Sequence, residues 1–336
     1  MPEYLPEPPS NLRPAVVGTL VDEKADMRDI ISTLVDLAQR GYINISENKA
    51  RNHVFTLVKD DKTGLRPYEV QFVQSFFGNK TERKLSELRY KFANKLPKLR
   101  NMLYDELLHE GFVDRSPDKV RTRYVVMAAF IGFISVIAFI GLVAALPAEA
   151  GYVGVCTGLA LFITAIFVGV VGRYMPSKTA KGAEEKAKWD AFRNYLKNIE
   201  QYEDMAQAGD LFEKYLPYAT AFGLDRSWIR KFASAPHTPI PGWYVPYGYG
   251  HYGGYGRPRP TGGSGGATPS LPSLDSAASG MAGGLESMSA GLTRMLNSTA
   301  TTMRSTPPSS SSGSSGGFSG GFSGGSSGGG GSRGFG

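Results

Sequence analysis

The sequence predicts a mixed membrane protein: α+β winged-helix-like cytoplasmic modules, a two-helix transmembrane hairpin, an α-helical cytoplasmic segment and a disordered Gly/Ser-rich tail. Three observations carry that expectation. Two apolar runs, Tyr124–Leu146 and Tyr152–Val171, hold 23 and 20 residues and are separated only by Pro147, Ala148, Glu149, Ala150 and Gly151. Ahead of them the chain reads helix, helix, then two-stranded ribbon, and behind them roughly the last hundred residues are rich in Gly, Ser and Pro.

A bilayer core needs about 20 helical residues at about 1.5 Å rise each, so both runs are long enough to span. Neither carries an ionisable group beyond its terminal tyrosine and Cys156. Soluble cores rarely need two consecutive charge-free helices of this length joined by five residues. We therefore assign transmembrane helices to 124–146 and 152–172. Lys119, Arg121 and Arg123 precede the hairpin, Arg173, Lys178 and Lys181 come after it, and the connecting loop carries only Glu149. The positive-inside rule then places both flanks, and both termini, on the cytoplasmic side of a plasma membrane. Gly154 and Gly158 form a small-xxx-small pair, as do Ala128 with Gly132, Gly141 with Ala145 and Ala165 with Gly169, which predicts close helix packing.

Residues 1–13 read as an extended Pro-rich leader without the apolar core of a signal peptide. In a first module, 14–62, Pro14–Leu20 can form a short helix. A longer helix runs from Asp26 to Arg40, with Met27, Ile30, Ile31, Leu34, Leu37 and Ala38 on one face, Asp26 as its cap and Gly41 as its stop. Tyr42–Ser46 and His53–Val58 alternate as strands around the polar turn 47–51. In a second module, 63–118, Pro67 opens a helix bearing Phe72, Val73, Phe76 and Phe77, and leucines then recur from Leu85 to Leu107, with Pro97 expected to split the pattern. The stretch Leu37-Ala38-Gln39-Arg40-Gly41-Tyr42-Ile43 resembles Leu107-Leu108-His109-Glu110-Gly111-Phe112-Val113, hinting at two copies of one unit.

Beyond the membrane, 183–235 predicts cytoplasmic amphipathic helices whose Trp189, Phe192, Leu196, Ile199, Trp228, Ile229 and Phe232 need a surface to cover, either the modules or the headgroup level. From 236 to 336 the composition turns to Tyr, Gly and Pro, then to Gly and Ser. It predicts a flexible tail, dispensable for folding, with a weakly helical island around Leu285, Met288, Leu292, Met295 and Leu296.

The single Cys excludes a disulfide and a thiolate metal site, and the formal charge of +7 is mild for 336 residues. The four His residues are scattered, with no HExxH spacing, and the Gly-rich runs lack the strand and the Lys-Ser/Thr of a phosphate loop. No catalytic residue, metal or cofactor is expected. One charge feature stands out: Lys80–Arg100 holds eight basic residues, Lys80, Arg83, Lys84, Arg89, Lys91, Lys95, Lys98 and Arg100, against Glu82 and Glu87. A solvated helix face, anionic lipid headgroups and nucleic acid all fit such a run, and its nearness in sequence to a membrane span favours lipid over nucleic acid.

Three stretches together resemble the C-terminal half of the YciQ-like membrane proteins, a family of unknown function. They are Pro8-Pro9-Ser10-Asn11-Leu12-Arg13-Pro14-Ala15 with the Leu37–Ile43 stretch, then Lys214-Tyr215-Leu216-Pro217-Tyr218-Ala219-Thr220-Ala221-Phe222-Gly223-Leu224, and the repeats from Phe318 to Gly325. The resemblance implies an integral membrane protein whose fuller relatives carry, upstream, a signal sequence, an extracytoplasmic β-rich domain and another membrane helix. It brings no catalytic residues. The expected role is a membrane-anchored interaction or scaffold protein with the bilayer and an unidentified protein as partners. The alternative is a membrane-tethered regulator binding DNA through a winged helix, which the acidic Asp26, Asp29 and Asp36 on the outward face of the recognition-helix candidate disfavour.

Overall fold

The computed structural model describes residues 3–48, 52–145, 151–174, 178–205, 208–233, 241–246 and 274–307. Helix α1, Pro14–Asp22, begins on a proline, whose missing N–H costs nothing in a first turn. Helix α2, Met27–Gln39, opens with a reciprocal cap: the Asp26 side chain accepts from the Arg28 amide at 2.6 Å, and Asp29 Oδ2 accepts from the Asp26 amide at 2.9 Å. It ends at Gly41, whose φ of +75° only glycine adopts cheaply, with the Tyr42 amide donating back to the Leu37 carbonyl at 2.9 Å. Helix α5, Leu96–His109, ends with the same geometry: Gly111 has φ +72° and the Phe112 amide donates to the Leu107 carbonyl at 3.0 Å. The likeness between 37–43 and 107–113 is thus a shared helix ending. The two chains diverge after it, because Tyr42 and Ile43 lead into a ribbon whereas Val113 makes only an isolated antiparallel bridge to Lys178.

Strands β1, Ile43–Glu47, and β2, His53–Leu57, pair antiparallel with Ile45 opposite Phe55. Strand β3, Glu82–Lys84, joins β2 antiparallel, and β4, Tyr244–Val245, joins β1 parallel, giving a mixed sheet in the order β3-β2-β1-β4. Ile43, Ile45 and Phe55 alternate onto the buried face. The boundary expected at residue 62 therefore runs through one sheet, since β3 comes from the second segment. Helix α3, Pro67–Phe77, helix α4, Leu85–Leu88, and a 3-10 turn at Ala93–Lys95 lead to α5. The break expected at Pro97 falls just before α5, with the proline in its first turn.

After the apolar helices α6, Pro117–Ala145, and α7, Gly151–Tyr174, come α8, Ala180–Lys197, the one-turn α9, Ile199–Tyr202, α10, Gly209–Ala221, and α11, Asp225–Ala233. Gly209 opens α10. Trp189, Phe192, Tyr215 and Trp228 are buried in the same core as Leu34, Leu37 and Phe55, so these aromatics cover the first helices and the sheet. Trp189 stacks on Tyr218 with ring centroids 5.4 Å apart. The leader is clasped as well: Leu12 is buried, Tyr4 stacks on Tyr202, and the Tyr215 hydroxyl donates to the Pro6 carbonyl at 3.1 Å.

Two expectations are corrected. Asp29 and Asp36, read as lying on the outward face of α2, are only 2% and 7% exposed, because eleven of the thirteen residues of this helix are buried. The tail is not uniformly flexible either. Helix α12, Leu274–Arg304, buries Leu292, Met295, Leu296, Thr299 and Met303. Its Asn297 Oδ1 accepts from Arg226 Nη2 at 2.8 Å, and Ser305 Oγ just beyond it accepts from the Tyr90 amide at 3.0 Å. Spacings of three and four residues put those apolar groups on one stripe, and that stripe finds a core to cover. Trp243 and Tyr244, in the Tyr/Gly/Pro-rich start of the tail, are buried as well. The remaining tail residues, 236–240, 247–273 and 308–336, with the Phe-Ser-Gly-Gly repeats, lie outside the described residues.

Candidate functional site

Two of the stretches that carry the family likeness, 8–15 with 37–43 and 214–224, meet around Glu69. Glu69, on the first turn of α3 and fully buried, accepts from Arg40 Nη2, lies 3.6 Å from Arg13 Nε, and accepts from the Arg66 amide at 2.7 Å. Arg40 also pairs with Asp36 at 2.7 Å, while the Tyr218 hydroxyl donates to the Leu12 carbonyl at 2.9 Å. Burial pushes the Glu69 and Asp36 carboxyls up and the Arg40 charge pulls both back. For the same reason burial lifts the Tyr218 hydroxyl to about 12. Arg13, Arg40 and Tyr218 thus tie α1, α2, α3 and α10 together from within. This cluster holds the fold.

Asp29 sits in a second buried spot, where Thr19 Oγ1 lies 3.2 Å from its Oδ2. Burial raises its pKa well above the ordinary aspartate value. A raised value means the folded state keeps a proton that the unfolded chain has already lost. Stability from this group is therefore full below about pH 4 and declines as pH climbs through the folded value. Asp29→Asn, which retains one acceptor for the cap, is expected to flatten that decline. Chemical denaturation at a series of pH values checks it, and parallel curves for the two proteins would refute it.

The hairpin brings small residues together as the sequence suggested for some positions and not for others. Gly154 and Gly158 are both buried. A Cβ at Gly158 would sit 2.9 Å from Cβ of Phe139, and the Gly158 carbonyl accepts from Ser135 Oγ at 2.8 Å. Gly169 faces Ala128, and Gly132 faces Ala165, whereas Gly141 has nothing within 4 Å and takes no part in the contact. Val125, Phe130, Phe133, Ile140, Phe162 and Phe167 are exposed, as a lipid-facing surface requires.

Both ends of the hairpin return to one junction. Arg121 Nη1 donates to the Glu23 carbonyl at 3.0 Å and Lys178 Nζ lies 2.7 Å from Glu23 Oε1. The carbonyls left open at the end of α5 are filled from the start of α8: Thr179 Oγ1 donates to Gly111 at 2.8 Å and Lys181 Nζ to Glu110 at 2.7 Å. Gly182 packs so closely on this turn that a Cβ would lie 2.0 Å from the Phe112 carbonyl oxygen.

The eight basic residues of 80–100 divide. Lys80 is paired with Glu87 at 2.8 Å, Arg89 lies over the Tyr90 ring at 4.9 Å, Lys84 is an exposed residue of β3, and Arg100 is half-buried on α5. The other four, Arg83, Lys91, Lys95 and Lys98, converge on a cleft of about 480 Å³ between α3 and the start of α5. Its remaining polar lining is neutral, from Gln71, Gln74, Ser75 and Asn79, and Leu88 and Phe92 floor it. Charge counting located the run but not which four of its residues meet at one cleft; Tyr90, with φ +64°, turns the chain within it. The polar wall from α3 carried no signal in the sequence.

Among the described residues no group of three or more His, Cys, Asp or Glu side chains is placed to hold a metal ion. Two helices, Val120–Gly141 and Gly154–Gly172, are long and apolar enough to cross a membrane. No curated protein and no solved structure matches the chain. A family model does match, over residues 1–232, from the clasped leader through the two apolar helices to the end of α11. The chain belongs to the family described as the predicted membrane protein (DUF2207) C-terminal domain.

Proposed function

We propose that this membrane protein is a non-enzymatic, membrane-anchored interaction module of the YciQ-like kind, with its globular part and both termini in the cytoplasm and an unidentified protein partner. The observation that carries the reading is the junction. Glu23, Phe112, Thr179 and Lys181 fasten the globular part to both ends of a hairpin whose outer surface is apolar, an arrangement suited to holding a binding surface at a bilayer. Basic residues on both flanks of the hairpin support the cytoplasmic side.

The helix, helix, ribbon order of 14–57 is that of a winged helix, and such units serve as protein-interaction modules as well as DNA readers. The burial of α2 beneath α1, α10 and α12 speaks against the DNA reading, because a recognition helix must present a free face to the major groove. Topology decides the anchoring. Reporter fusions at Asp118 and at Lys181 are both expected to read cytoplasmic and one at Glu149 external. Opposite readings at Asp118 and Lys181 would remove the hairpin.

A further inference from the structure

We propose that the cleft between α3 and the start of α5 binds an anion carrying clustered phosphoryl groups, held by Arg83, Lys91, Lys95 and Lys98. The proposal deepens the interaction reading, on which it rests, by naming a ligand class for a surface of the same module.

The charge in this cleft is only partly compensated, because Glu87, paired with Lys80, also feels Arg83 but lies outside its ion-pair distance. Arg13, Arg28, Arg40, Arg66, Lys80, Arg121, Lys178, Lys186, Lys188, Lys231 and Arg294 all lie within ion-pair distance of a carboxylate. Among the described residues none of the four cleft cations does so, and no acidic side chain lines the cleft. Four like charges converging without an anion repel one another, and a ligand of opposite sign relieves that repulsion.

Arg83 gives a second, independent indication. Its Nη2 donates to the Phe77 carbonyl at 3.1 Å, which fixes the guanidinium at the cleft wall, and its Nε is buried without any hydrogen-bond partner. Its side chain also lines the cleft, where a charge-assisted hydrogen bond to an oxyanion is stronger than one between neutral groups. Lys91, Lys95 and Lys98 stand at the opening as point charges on flexible stems, while the amides of Gln71 and Gln74 on α3 add neutral donors. Several charged oxygens on one ligand, rather than a single carboxylate, match a site with this many donors.

The source of the phosphates is set by distance from the membrane. The cleft is at the Leu96 end of α5 and the junction at its His109 end, and fourteen helical residues at about 1.5 Å each separate them by roughly 20 Å. That exceeds a Debye length of about 8 Å at physiological salt. A cleft on a helix standing on the bilayer takes a soluble polyphosphate, and one on a helix lying along the bilayer takes a phosphorylated headgroup.

The test uses the full chain in lipid nanodiscs. In one arm, protein in phosphatidylcholine discs is titrated with tripolyphosphate by calorimetry. In the other, phosphatidylinositol bisphosphate is added to the discs and protection of Lys91, Lys95 and Lys98 from an amine-reactive label is read by mass spectrometry. Binding or protection in either arm is expected, weakening as salt rises, and the arm that responds identifies the source. The Lys91→Gln, Lys95→Gln, Lys98→Gln triple variant, at exposed positions, is expected to weaken binding at least about tenfold, read by calorimetry with tripolyphosphate and with the soluble inositol bisphosphate headgroup, since the variant lacks the labelled amines. Lys186→Gln with Lys188→Gln on α8 is expected to leave it unchanged. Equal binding by the wild type and the triple variant, silence in both arms, or preference for duplex nucleic acid over tripolyphosphate at matched phosphate concentration would each overturn the assignment. Failure here with cytoplasmic reporters removes the ligand class alone, while phosphate binding with external reporters removes the cytoplasmic placement alone.

Discussion

Glu69→Ala is expected to cost about 3–5 kcal/mol, a large share of the 5–15 kcal/mol that holds an ordinary domain together. The residue is fully buried and serves three groups at once: the Arg40 and Arg13 guanidiniums and the Arg66 amide at the start of α3. Removing it leaves the half-buried Arg13 with no other carboxylate in ion-pair reach among the described residues and forces Arg40 to rely on Asp36. Glu69→Gln separates the two contributions, since it keeps an acceptor for the Arg66 amide and loses only the charge, so it is expected to fall between alanine and wild type. Trp189, Trp228 and Trp243 are all buried in the globular part, which makes tryptophan fluorescence under denaturant a direct readout. An alanine variant with an unfolding free energy within about 0.5 kcal/mol of wild type would show that the cluster is incidental.

The second large effect is expected from α12. Leu292 and Leu296 are 0% and 2% exposed, and truncating a buried leucine to alanine costs about 2–5 kcal/mol. Because the two lie one helical turn apart on the same stripe, the double variant is expected to release the helix altogether. Limited proteolysis should then cut within 274–304, where the wild type resists, and the Arg294 contact to Glu47, 3.4 Å in the folded protein, should be lost with it. Unchanged protease resistance would mean that α12 contributes little to the core it touches. This result also decides how the region beyond residue 232, where the family match ends, relates to the rest.

Local signals were the ones the sequence made legible. Asp26 as a cap, Gly41 as a stop, Pro67 at a helix start and the two apolar runs each depend on neighbours within a turn or on simple length, and each is where the residues suggested. The Glu69 cluster depends on Arg13 and Arg40, far away in the chain, so no window of residues reveals it. Reading Asp29 and Asp36 as outward-facing failed because α2 is wrapped on nearly all sides, and an amphipathic pattern assumes one wet face. The tail misled by averaging: Gly and Ser dominate its composition, yet Leu292, Met295, Leu296 and Met303 keep helical spacing through it. In the basic run the count of eight was right as charge and blind as geometry, because Lys80 and Glu87 cancel locally while Lys91, Lys95 and Lys98 stand at the opening of the cleft.

The junction at Glu23, Phe112 and Lys178 also dictates an order of events during synthesis. The core is assembled from 14–113 before the membrane segment and from 178–233 after it, with Trp189 and Phe192 of the later part buried in one cluster with Leu34 and Leu37 of the earlier part. As the chain leaves the ribosome, its first hundred residues emerge without the helices that cover them. Their apolar faces stay open until the two apolar helices and the helices after them have been translated. Closure of the core therefore depends on translation past the apolar helices, and a pause before α8 leaves an unfinished core open to chaperones and proteases.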